Sequence, residues 1–106
     1  MTPEAQRIAI AAVCGWKRAT QTIWVCSGEN PAIGDDNLPD YLTDLNAMHA
    51  AEKTIKAPHL YNKQLEMVVL GYVLDHKDAV AEFMLRNATA AQRAEAFLRT
   101  LNLWTP

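Results

Sequence analysis

The chain has 106 residues, half of them apolar and 21% charged, with a formal net charge of −2. This is enough for one domain, residues 1–106, whose core needs neither disulfides nor metal, and the composition excludes a disordered or collagen-like chain. A pI near 5.8 excludes the electrostatic footprint of a nucleic-acid binder.

The first helix is expected to start at Thr2-Pro3-Glu4, which supplies a hydroxyl cap, a proline where no amide partner is needed, and an acid at the positive end of the dipole. Ile8, Ala9, Ala12 and Val13 form its expected buried stripe, and Gly15 its left-handed stop, with Trp16 packing back. Thr20–Cys26 is rich in β-branched and aromatic residues and is the best strand candidate, with Ile23 and Val25 on one face and Trp24 and Cys26 on the other. Ser27–Pro39 carries turn chemistry throughout and reads as a long exposed loop.

A second helix is expected from about Asp40 to Lys56, capped by Thr43, or a turn earlier by Asn37 or Asp40, and stopped by Pro58. Its stripe is Leu42, Leu45, Met48, Ala51 and Ile55. A third runs from about His59 to Leu74, and its second half, V-V-L-G-Y-V-L, is either central to the core or partly strand, since Gly71 and the β-branched residues weaken the helix. Ala79–Arg86 suits a helix capped by Asp78 or a short strand, and composition favours the helix. The last helix is the most clearly written. Thr89 and Gln92 make a capping box, Ala94, Phe97, Leu98 and Leu101 make one apolar face, and Glu95 precedes Arg99 in the favourable i,i+4 order. Asn102 tolerates the left-handed conformation that ends helices, so Leu103 and Trp104 are expected to fold back as an anchor. The fold class that follows is α+β, mostly helical, with three to five helices packed on a small two- or three-stranded sheet.

Three stretches carry a family resemblance: A-I-A-A-V-C-G-W at 9–16, L-P-D-Y-L-T-D-L-N-A-M-H-A-A-E-K at 38–53, and A-T-A-A-Q-R-A-E-A-F-L-R-T-L-N-L-W at 88–104. Together they resemble the phage α/β/α-sandwich domain family of small phage and prophage proteins, over a little under half of the chain. The resemblance implies a phage or prophage origin and helices packed on a small sheet. It implies no activity and supplies no catalytic residues. Residues 17–37 have no match in the family pattern, and the family is more strand-like than Ala79–Arg86 just before its A-T-A motif.

The N-terminus lacks a basic region followed by an apolar run, so no signal peptide is expected, and Met67–Leu74, the longest nearly apolar run, is too short to span a bilayer. The expectation is a protein of the host bacterial cytoplasm, in which Cys14 and Cys26 stay reduced, although spacing alone permits a disulfide between them. No cofactor is expected, and no metal: His49 and Glu52 share a helix face, but no second pair has ligand spacing, and Asp35-Asp36 lacks the alternating oxygens of a calcium loop. Asp75, His76 and Asp78 read as helix-end residues. Four scattered glycines form no phosphate loop. Arg86, Arg93 and Arg99 read as surface arginines rather than as phosphate contacts. The protein is therefore expected not to be an enzyme, with a site near His49 as the remaining enzymatic alternative.

Charge is unevenly placed. Between Ala19 and Glu52 every charged residue is acidic (Glu29, Asp35, Asp36, Asp40, Asp44 and Glu52), and all ten Lys and Arg lie outside, where six acids leave a balance of +4. Trp24, Ile33, Leu38 and Tyr41 fall within that window, as anchors of an acidic interface or as core residues beneath a solvated loop. The expected partner-binding set is Trp24, Glu29, Asp35, Asp36, Asp40, Tyr41 and Asp44. The expected function is that of a non-enzymatic phage accessory protein that binds a host protein, for example a nucleic-acid-binding defence complex such as a CRISPR effector, which it would inhibit through that surface. The alternative is a homo-oligomeric assembly module held by the Val68–Leu74 region and the Leu103–Trp104 tail.

Overall fold

The computed structural model describes residues 1–21, 23–26, 33–34 and 37–106. Within them five helices pack with one three-stranded antiparallel sheet, the α+β, mostly helical class that the sequence predicts. The order is α1 (Pro3–Val13), β1 (Trp16–Arg18), β2 (Ile23–Cys26), β3 (Ile33–Gly34), α2 (Leu45–Glu52), α3 (Pro58–Leu70), α4 (Ala79–Arg86) and α5 (Ala90–Thr100). β2 is central, pairing with β1 through Trp16–Cys26, Lys17–Val25 and Arg18–Trp24, and with β3 through Trp24–Ile33.

The core is organised around α5, which packs on α3, α1 and α2. Ala90, Ala94, Ala96, Phe97 and Leu98 of this helix are buried, and they meet Ile10, Met48, Tyr61 and Leu65 from the other helices. Burying side chains the size of Phe97, Leu98, Ile10 and Met48, all 0% exposed, contributes about 1.5–3 kcal/mol each. The ends of α5 follow local chemistry. Thr89 Oγ1 accepts from Gln92 N at 3.1 Å, and Thr89 N donates to Gln92 Oε1 at 2.9 Å. At the other end Asn102 sits at φ 58°, Asn102 N donates to the Arg99 carbonyl and Leu103 N to the Leu98 carbonyl, a Schellman turn. Trp104 folds back onto the core, with the Arg99 guanidinium 5.1 Å from its ring centroid.

Four expectations are revised. α2 opens at Leu45 under the Asp44 cap and not near Asp40, because Asp44 Oδ1 accepts from Asn46 N (2.9 Å) and Ala47 N (3.4 Å). α3 stops at Leu70, where Gly71 takes φ 84°, so Tyr72–Leu74 lie outside it. The buried side of α1 is Gln6, Ile10 and Ala11 instead of the Ile8–Val13 stripe, and Val13 is exposed. Ile8–Val13 is apolar on every side, so its packing partners choose the phase. Trp16–Arg18, not anticipated as a strand, becomes one because the turn at Gly15 (φ 101°) feeds the chain directly alongside β2. The alternation within β2 is as expected, with Trp24 buried and Ile23 and Val25 on the outer face. No described helix is long and apolar enough to cross a membrane.

Candidate functional site

Of the residues expected to form an acidic interface, Trp24, Asp40, Tyr41 and Asp44 lie among the described residues, and the two rings are not at the surface. Trp24 is 4% exposed and Tyr41 3%, and Leu38 is equally buried, so the aromatic anchors belong to the core. The physical reasons are specific. Trp24 lies on the inward face of β2 with the Arg18 guanidinium 4.4 Å over its ring, and Tyr41 lines the same cavity as Cys14, Trp16 and Cys26. Burial, reinforced by the neighbouring thiols, pushes the Tyr41 phenol well above its ordinary value. Ile33 is half-buried. Asp44 is the N-cap of α2, and Glu52 is held in a hydrogen-bond cluster. Asp40 is exposed. Glu29, Asp35 and Asp36 lie outside the described residues.

The cluster at Glu52 gathers three helices. Its Oε1 accepts from His49 Nδ1 at 2.7 Å, so that ring nitrogen carries the hydrogen. Its Oε2 accepts from the Tyr61 hydroxyl of α3 and from Arg93 Nη1 of α5 at 3.1 Å. The rest of the Arg93 guanidinium faces the end of α4. Nε donates to the Ala88 carbonyl (3.2 Å), and Nη2 to the carbonyls of Leu85 (3.4 Å) and Arg86 (3.2 Å). The Leu85 carbonyl also accepts from Ala88 N (3.2 Å), so the guanidinium adds to the capping of this helix end, where its positive charge meets the negative end of the dipole. Arg93 is thus a clasp between α2, α3, α4 and α5, not a surface arginine; its side chain is 12% exposed, and that of Glu52 15%. Burial, then the hydrogen bond and charge of Glu52, raise the Tyr61 pKa well above the ordinary phenol range, with Arg93 opposing part of the shift.

Chemically this cluster has one free end. Both Glu52 oxygens are engaged, and only His49, half-exposed, presents a ring nitrogen outward. No set of three or more His, Cys, Asp or Glu residues that could hold a metal ion occurs among the described residues. A histidine oriented by a carboxylate supplies one element of acid–base catalysis. The engaged partners account for the rest of the arrangement as packing.

A second feature is a cavity of about 350 Å3 between the sheet and α2, lined by Cys14, Trp16, Cys26, Tyr41, Ala47 and Ala50 among others. Burial pushes the Cys14 thiol up, while the neighbouring Tyr41 hydroxyl opposes part of the shift.

The third feature is the outer face of α4. Asp78 Oδ1 starts the helix by accepting from Val80 N (3.0 Å) and Ala81 N (3.2 Å). Ala81 is its one buried residue and Leu85 packs partly on the core. Val80 (71% exposed), Phe83 (61%) and Met84 (45%) stand at i, i+3 and i+4 on the adjoining, outward face. Tyr72 and Val73, in the connection from α3, are also exposed, and Leu74 N tethers that connection to Glu66 Oε2 at 3.2 Å. Lone exposed apolar residues are ordinary, whereas these three stand together on one short helix. The periodicity of Val80, Phe83 and Met84 was the available signal in the sequence. What it does not encode is which side of α4 meets α3.

No family model matches the chain, and neither the curated proteins nor the solved structures provide a match.

Proposed function

We propose that this chain is a non-enzymatic protein-binding module, a phage or prophage accessory protein acting on a host protein, and that the outer face of α4 is its docking surface. The observation that carries the reading is the exposure of Val80, Phe83 and Met84 on one short, well-capped helix. Three apolar side chains at this spacing are the anchors with which an amphipathic helix fills a partner's groove. Exposed Lys77, Glu82 and Arg86 surround them with both signs of charge, which suits an interface rim. The phage context rests on the motif resemblance at 9–16, 38–53 and 88–104. Inhibition of a nucleic-acid-binding defence complex is the narrower form of the proposal. It would have to use the acids at 29, 35, 36 and 40 without Trp24 or Tyr41 as anchors.

The test is capture from host lysate with wild type, Phe83→Asp and Asp40→Lys, each checked for unchanged circular dichroism. Loss of the captured partner in Phe83→Asp and its retention in Asp40→Lys is the expected result. Retention by Phe83→Asp with loss in Asp40→Lys would return the interface to the acidic window. Light scattering addresses the assembly-module alternative, which the same face supports: a dimer that Phe83→Asp dissociates would make the partner a second copy of this chain.

A further inference from the structure

The two cysteines, on different elements of the fold, are brought to one place. Cys14 is the C-cap of α1 and Cys26 the last residue of β2. The turn at Gly15 delivers the chain from α1 into β1, whose first residue, Trp16, is the registered partner of Cys26. Cys26 Sγ consequently lies 3.7 Å from the position a Cβ on Gly15 would take, one residue from Cys14. Both thiols are free, both are half-buried, and both line the cavity shared with Trp16 and Tyr41. Tyr41 lies beside the Cys14 thiol in the same cavity lining. A disulfide requires two cysteines on neighbouring backbones, and here one closes α1 while the other ends β2, the strand paired with the β1 segment that follows the Gly15 turn. No residue of α4 lines this cavity, so the site is independent of the docking surface.

We propose that Cys14 and Cys26 form a redox-active dithiol site whose co-reactant is a small disulfide of the glutathione class. In the first step one protein thiolate attacks a sulfur of the small disulfide, breaking its S–S bond. A mixed disulfide forms, and the departing thiolate takes up the proton the protein thiol lost. In the second step the other cysteine, deprotonated, attacks the protein sulfur of the mixed disulfide and expels the second small thiol. One small disulfide is reduced to two thiols, and the protein gives up two electrons and two protons to make the Cys14–Cys26 bond. The bond ties the end of α1 to β2 and closes a short loop, which restricts the unfolded chain and raises the melting temperature.

Intact mass of the full chain, equilibrated in oxidised glutathione and then alkylated with iodoacetamide under native conditions, tests this. The expected product has lost two hydrogens, carries no alkyl group and melts higher than the reduced chain. Cys14→Ser and Cys26→Ser, each verified as folded by circular dichroism, should instead stop at a single glutathione adduct. Three results overturn the proposal: wild type that accumulates glutathione adducts without closing the ring, wild type that is fully alkylated after the same treatment, or a closed form that melts lower than the reduced one.

Discussion

α4 and α5 are both short, both capped by a side chain at their start, and both plainly amphipathic, yet their apolar sides meet opposite fates. α5 buries Ala90, Ala94, Ala96, Phe97 and Leu98, whereas α4 buries Ala81 and turns Val80, Phe83 and Met84 to solvent. Amphipathic spacing therefore states that a helix has a side to be covered, and it does not state by which molecule. In α5 the cover is the rest of this chain. In α4 the cover is assigned above to a partner.

The sharpest way to break that comparison is to truncate the same residue type in both helices. Phe97→Ala should lower the unfolding free energy by about 3–5 kcal/mol, read from denaturant melts, because a fully buried ring leaves a cavity. Phe83→Ala should stay within about 0.5 kcal/mol of wild type and weaken partner binding by roughly 30-fold, as expected for an anchor worth about 2 kcal/mol. Equal stability losses in the two variants would mean that α4 is packed as α5 is. The next effect in size concerns the clasp. Arg93→Ala should cost about 3 kcal/mol, since it removes the charge partner of the largely buried Glu52 and the guanidinium's bonds to the carbonyls of Leu85, Arg86 and Ala88. His49→Ala should stay within about 1 kcal/mol, being one half-exposed partner of Glu52. If His49→Ala instead abolished an enzymatic activity while the melt was unchanged, the site near His49 would be catalytic.

The smallest effect is on pH dependence. Tyr41 and Tyr61 have pKa values raised on folding, so the folded state favours their protonated forms. Their stabilisation is complete below the unfolded phenol pKa of about 10 and falls as pH climbs beyond it. Denaturant midpoints measured from about pH 8 to about pH 11 should decline, and Tyr61→Phe should flatten the alkaline part of that slope.

What was legible in the sequence is what depends on neighbours in the chain. The Thr89–Gln92 box, the Asp78 cap, the turns at Gly15 and Asn102, and the alternation in β2 all involve residues a few positions apart. What was illegible depends on distant packing. Glu52 and Arg93 look like surface charges until α2 and α5 are side by side. Trp24 and Tyr41 sit among acids in sequence, but the charge of neighbours says little about which way a ring points, and both rings point inward. The uniform apolar run in α1 leaves its own orientation undetermined. The candidate site was legible to the same degree: the i, i+3, i+4 spacing of Val80, Phe83 and Met84 is visible, and their exposure is not.

The clasp at Arg93 has a consequence for motion. α4 is fastened at its C-terminal end by the guanidinium and only lightly along its length, while the Asp78 cap bonds only the helix's own first turn. A helix attached in that way can open as a unit while α5 and the core stay closed. Its amide hydrogens should then exchange with solvent faster than those of Phe97 and Leu98, and a bound partner should slow them selectively.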